Sequence, residues 1–125
     1  MRVITSPSSP PPAGPYSPAL EVGEWIFLSG QGGFDPASDG LGETIEEQTE
    51  QTLRNISTLL EAAGCTLADV VSALVHLSDL SHFARFNAVY GRAFAEPRPV
   101  RTTVGADLVA GMLVEITVVA RRKSD

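Results

Sequence analysis

The segment Asp69–Ser78 constrains this chain most. Its two alternating sets, Val71/Ala73/Val75/Leu77 and Val70/Ser72/Leu74/His76, are both mostly apolar. A strand built from it needs cover on both faces, because successive side chains point to opposite sides. Cover on one side is available from two predicted helices. Over Glu43–Ala63, Ile45, Thr49, Leu53, Ile56, Leu60 and Ala63 recur at three- and four-residue steps and make one stripe. Thr44 with Glu47 forms a capping box, Glu46 matches the helix dipole, Glu50 and Arg54 form an i,i+4 pair, and Gly64 suits an αL stop. A second helix is expected from a Ser81 cap to about Ala95, with Phe83, Phe86, Tyr90 and Phe94 read as core.

Strands are expected at Leu20–Val22 and Trp25–Ser29 across a Gly23-Glu24 turn, at Val100–Val104 and at Met112–Ala120, with Arg2–Thr5 as an extra edge strand. Interleaved strands with two helices predict an α+β sheet carrying both helices on one face. The opposite face then exposes apolar side chains such as Val71 or Leu74, which a lone chain rarely leaves in water, so the sheet is expected to pack against other copies of itself.

At 125 residues, 43% hydrophobic and 19% charged, the chain fits one domain spanning 1–125 with a real core. Residues 1–13 read as an extended Pro-rich lead-in, since proline fixes φ and removes a donor. Residues 122–125, after the last strand, read as a solubilising tail with Arg121-Arg122-Lys123. Fifteen acids against nine Lys and Arg argue against nucleic acid as a partner. One cysteine, Cys65, excludes a disulfide framework, and two histidines without CxxC or HxxxH spacing make a Cys/His zinc site untenable. The apolar runs Val70–Leu77 and Met112–Ala120 are too short to cross ~30 Å of hydrocarbon as helices, so no membrane partner is expected. Met1–Pro7 lacks a signal-peptide core and the Asn55-Ile56-Ser57 sequon falls inside a helix, so a cytoplasmic protein is expected. The glycine-rich stretch Gly30–Gly33 fails both GxGxxG and the phosphate-loop ending.

Chemistry concentrates in the last two strands. Glu115 interrupts the run Met112–Val119, sharing a face with Leu113, Thr117 and Val119, and Arg101 opens the preceding strand beside Thr103. A carboxylate in an apolar strand must be paired, hydrogen-bonded or used. Two readings stand: a structural Arg–Glu ion pair or a rim charge, against an anion-binding guanidinium near a proton-transferring carboxylate. His76 reads as a hydrogen-bonded strand histidine, and Asn87, beside the aromatic stripe, needs a partner.

Several short motifs, in this order along about residues 14–122, carry a resemblance. They are Gly14-Pro15-Tyr16-Ser17, Ser29-Gly30-Gln31 with Asp35-Pro36, Glu61-Ala62-Ala63-Gly64, Asp79-Leu80 with Phe83, Asn87 and Tyr90, and Arg101 followed by Val114-Glu115-Ile116. Together they resemble the RidA/YjgF family of imine deaminases. The resemblance implies a chorismate-mutase-like α+β fold, a homotrimer with active sites in the clefts between subunits, and no cofactor. It implies hydrolysis of 2-imino and 2-enamino acids, 2-aminoacrylate being typical, to 2-keto acids and ammonia. By the same resemblance Arg101 grips the substrate carboxylate, Glu115 activates or orients water, and Tyr16, Ser29, Gly30 and Asn87 line the pocket. Thr103 stands near the pocket where many members carry cysteine; Gly32-Gly33 and Asp107–Gly111 replace an apolar-Pro pair and a Leu-Pro loop. Two other functions stay open: a small-carboxylate-binding or chaperone-like trimer without turnover, and a ribonuclease or translation inhibitor. The acidic charge speaks against the last.

Overall fold

The computed structural model describes residues 1–123; Ser124 and Asp125, the end of the expected tail, lie outside the described residues. Six strands, β1 (Arg2–Ile4), β2 (Ala19–Val22), β3 (Trp25–Leu28), β4 (Val70–Leu77), β5 (Val100–Gly105) and β6 (Val114–Arg121), form one sheet. Its order is β1-β2-β3-β6-β4-β5, antiparallel except for the β4–β5 pair. Helices α1 (Ile45–Ala62) and α2 (Phe83–Ala93) pack on one face, giving the expected α+β layers.

Helix α1 forms for the reasons its sequence states. All six stripe residues are buried, and Thr44 Oγ1 accepts the Glu47 amide at 3.1 Å. The capping box is altered, because the Glu47 carboxylate takes the Thr44 hydroxyl at 3.2 Å. At the other end Gly64 sits at φ +77°, with the Gly64 and Cys65 amides donating to the Glu61 and Leu60 carbonyls. That is the Schellman arrangement, which needs a residue without a Cβ penalty there. The expected Glu50–Arg54 pair does not form. Arg54 donates to Gln51 Oε1 at 2.9 Å, while Glu50 faces Arg92 of α2 at 4.0 Å.

Helix α2 begins at Phe83, ends at Ala93 rather than Ala95, and has no Ser81 cap; Asp79 instead accepts the Ser81 amide in a preceding 3-10 turn. Phe86, Tyr90 and Phe94 are core, but Phe83 is 43% exposed, so the stripe is core for three of its four members. The last strand starts at Val114, with Met112 in the approach to it.

The basic end is not a free tail. Arg121 pairs with Glu24 at 3.0 Å, and Arg122 bonds both Glu21 and the Ala63 carbonyl. Arg2 holds the other side of Glu21 at 2.9 Å. Hydrogen bonds from Arg2 and then Arg122 pull the Glu21 carboxyl down to about 2. A carboxyl depressed in the folded state stabilises above its unfolded value near ~4.3, and that contribution is lost as pH falls through ~4 toward 2. Between pH 6 and pH 3, therefore, the urea midpoint of the natural chain should fall more than that of Glu21→Gln. Equal falls would remove Glu21 as a source of acid sensitivity.

Val70, Ala73, Val75 and Leu77 of β4, with Val114, Ile116, Val118 and Ala120 of β6, face the helices and are buried. The other face is open and apolar. An open apolar face was anticipated; both Val71 and Leu74 stand exposed because the register shifts between Val70 and Ser72, and Trp25, Phe27, Val100 and Val104 extend the surface they begin.

Candidate functional site

Arg101 and Glu115 lie on opposite faces of the sheet. Arg101 is the register partner of buried Ala73 in the parallel β4–β5 pair and points toward the helices. Glu115 is the register partner of His76, on the open face. The structural Arg–Glu pair is therefore ruled out within a chain, and neither residue has an ion partner among the described residues.

The Arg101 side is an aromatic cradle. Its guanidinium carbon stands 4.8 Å from the Tyr90 ring centre, 5.4 Å from Phe86 and 5.7 Å from Phe83. Ring faces stabilise a planar cation without consuming its N–H donors, which leaves the fork available for an anion. Thr103 follows two residues on, along the same face of β5, and Asn87 sits one helical turn from both Phe83 and Tyr90 on α2. Asn87 Oδ1, Thr103 Oγ1 and the Tyr90 hydroxyl are all buried without a hydrogen-bond partner. Native interiors rarely leave so many polar atoms idle in one neighbourhood. Burial pushes the Tyr90 phenol up, opposed by the nearby Arg101 charge.

The Glu115 side is a cavity of about 150 Å³. Tyr16, Gly30, Gly32, Met112 and Glu115 line it, and so does Pro10–Ala13 of the lead-in. The Pro-rich segment thus lies on the surface, as its composition predicted, and also forms a wall. Tyr16 Oη accepts the Ala13 amide at 3.0 Å and holds that wall in place. A Cβ at Gly30 would lie 2.7 Å from Glu115 Cδ, so any larger residue there must displace the Glu115 side chain. Ser29 is not among the residues that line this cavity. Its hydroxyl donates to the Ser17 carbonyl at 2.6 Å, clasping the Tyr16 segment to the end of β3. His76 departs from expectation, since its Nδ1 is buried and unbonded.

Two supporting residues escaped the sequence reading. Gln48, buried on α1, donates to the Gly42 carbonyl and accepts the Leu113 amide, each at 2.8 Å. Asn55, also buried on α1, donates to the Gly32 and Phe34 carbonyls at 3.0 and 2.8 Å. The sequence signal for both is only a polar residue on or beside an apolar helical stripe, with Asn55 also opening the sequon. A wider groove of about 340 Å³ between α1 and α2 holds none of the candidate residues. Among the described residues no group of three His, Cys, Asp or Glu side chains is placed to hold a metal ion.

Residues 6–122 match the family model described as endoribonuclease L-PSP. A RutC family protein of Saccharolobus solfataricus is 43% identical over 123 residues, covering 97% of this chain and 98% of the relative. A Capra hircus protein named 2-iminobutanoate/2-iminopropanoate deaminase is 42% identical, covering 95% of this chain and 88% of its own length. The crystal structure of RidA from an Antarctic Psychrobacter superposes with a TM-score of 0.94 at 40% identity, covering 97% and 99% of the two chains. With its strand order, its helices on one sheet face and a family match across nearly its whole length, the chain belongs to the endoribonuclease L-PSP family, also called YjgF/RidA.

Proposed function

We propose that this chain hydrolyses 2-imino and 2-enamino acids to 2-keto acids and ammonia, in clefts formed between copies of itself. The observation that carries the reading is the pair of unsatisfied half-sites: a guanidinium cradled by rings on one face and a carboxyl in an apolar cavity on the other. Mammalian relatives named imine deaminases support the class of reaction. The open apolar face supports association, and we read the assembly as a homotrimer that sets the Arg101 half-site of one copy against the Glu115 half-site of the next.

The chemistry follows from the groups. The Arg101 fork holds the planar substrate carboxylate through two parallel hydrogen bonds, with Asn87 and Thr103 offering their idle polar atoms beside it. Glu115 takes a proton from water as the water oxygen bonds to the C=N carbon, and passes that proton to the nitrogen that receives the C=N electron pair, giving a neutral carbinolamine. Glu115 then takes the carbinolamine hydroxyl proton and delivers it to nitrogen as the C–N bond breaks, so that the O–H electrons close the carbonyl and ammonia leaves. Holding both reactants removes much of the entropic barrier. No cofactor enters this sequence.

An amino-acid oxidase acting on alanine supplies 2-iminopropanoate for the test. Arg101→Ala should slow its enzyme-dependent decay by about 30-fold in kcat/KM, the equivalent of roughly 2 kcal/mol of carboxylate binding. Equal rates for variant and natural chain would overturn the mechanism. Tight 2-keto acid binding without any rate effect would select a binding module instead.

A further inference from the structure

The cavity beside Glu115 has a feature that the deaminase chemistry does not use. Gly32 and Met112 interlock. Met112 precedes β6, is 6% exposed, and lies so close that a Cβ on Gly32 would overlap its sulfur. The thioether therefore occupies a notch that any residue but glycine would fill. Two anchors fix the Met112 backbone: its own amide donates to the Val109 carbonyl at 3.2 Å, and the next amide, Leu113, donates to buried Gln48 at 2.8 Å. The carbonyl of Gly32 accepts a hydrogen bond from Asn55 Nδ2 at 3.0 Å. A flexible side chain is thus set in a rigid frame, with its far end forming part of the cavity wall.

The rest of the wall says what such a cavity accepts. Met112 and Phe34 supply apolar surface, and Pro10–Pro12 close one side with rings that offer no N–H donor. Glu115 is the one charged group among the lining residues; no Lys, Arg or His joins it. Space of about 150 Å³ suits a few carbon atoms and little more. Within one chain Arg101 lies on the far face of the sheet, so a substrate whose carboxylate sits on a neighbouring guanidinium would turn its variable side chain, rather than its carboxylate, toward this cavity.

Resting on the deaminase reading, we propose that Met112, seated in the Gly32 notch, sets the size limit for the side chain on the imine carbon, and that Glu115 excludes acidic side chains from the same space. Short unbranched apolar side chains fit. Branched or aromatic ones meet the thioether, and a side-chain carboxylate meets Glu115 at close range, a like-charge contact with nothing nearby to offset it.

Three 2-imino acids made in situ from alanine, leucine and glutamate test this through their kcat/KM ratios. The natural chain should favour the alanine product over the glutamate product by at least about 100-fold. Met112→Ala should raise the leucine-to-alanine ratio about 10-fold or more, in the range that one or two methylenes command in an apolar pocket. Gly32→Ala should lower that ratio by pushing the sulfur into the cavity, and adding Met112→Ala to it should restore the ratio, a reversal that general loss of packing would not produce. An active Met112→Ala with an unchanged ratio overturns this inference and leaves the deaminase reading standing. No acceleration of any imine by the natural chain overturns the deaminase reading itself. The size limit is then read from calorimetric affinities for the three corresponding 2-keto acids, where Met112→Ala must still favour the leucine-derived one or the inference falls too.

Discussion

Glu115→Gln should lower kcat on 2-iminopropanoate by at least about 100-fold with KM little changed, since a positioned acid–base group typically contributes 10²–10⁴. The amide is nearly isosteric, so the close approach to Gly30 and the cavity wall survive the substitution. What disappears is the capacity to take a proton from water and return it to nitrogen. Because the proposed mechanism gives the carboxylate grip to Arg101, affinity for a 2-keto acid should stay within a few-fold of the natural chain. Steady-state kinetics with calorimetric binding separate these effects. Activity within threefold of the natural chain would remove Glu115 from the mechanism, and joint loss of binding and turnover would assign it to substrate holding.

The second large effect is on stability. Asn55→Ala should destabilise the fold by about 3 kcal/mol, because it strands two partly buried carbonyls and leaves a cavity where a buried amide stood. For a domain of this length that lowers Tm by roughly 10 °C, readable by scanning calorimetry. Asn55→Asp should be worse, since the oxygen that replaces Nδ2 faces two carbonyl oxygens, and the one donor present, Gln51 Nε2, already serves the other oxygen. A loss below about 1 kcal/mol in the alanine variant would show that the Gly32–Phe34 segment is held chiefly by its glycines packing on α1. Gly33 is the strongest of these, as a Cβ there would stand 2.6 Å from the Gln48 carbonyl oxygen.

Much of the architecture was legible because it depends on periodicity. The α1 stripe, its Thr44 start and its Gly64 stop are local rules, and each appears where the spacing put it. The doubly apolar β4 likewise forecast an open face in need of cover. Pairings between distant side chains were not legible. Arg54 chose Gln51 over Glu50, and Arg122 left the expected tail for Glu21, because exposed charges follow whichever partner the folded surface brings near. Phe83 looked like core by spacing, yet α2 starts there and its ring stays half in solvent beside Arg101. The site residues could be picked out singly, as a charge in an apolar strand and an arginine at a strand start. Their placement on opposite sheet faces could not, since it depends on the parallel register that sets Arg101 beside Ala73. Asn55 stayed unseen for the same reason: nothing local says that a helical amide will hold a loop more than twenty positions upstream.

That placement across the sheet has a kinetic meaning. A lone molecule in dilute solution cannot bring its guanidinium and its carboxyl to one small substrate, whatever its internal motions, because a hydrogen-bonded sheet stands between them. Any reaction that needs both groups is a property of encounters. Under the proposed mechanism, its specific rate per milligram falls on dilution once the chains separate, and a freshly synthesised chain is idle until it meets another copy.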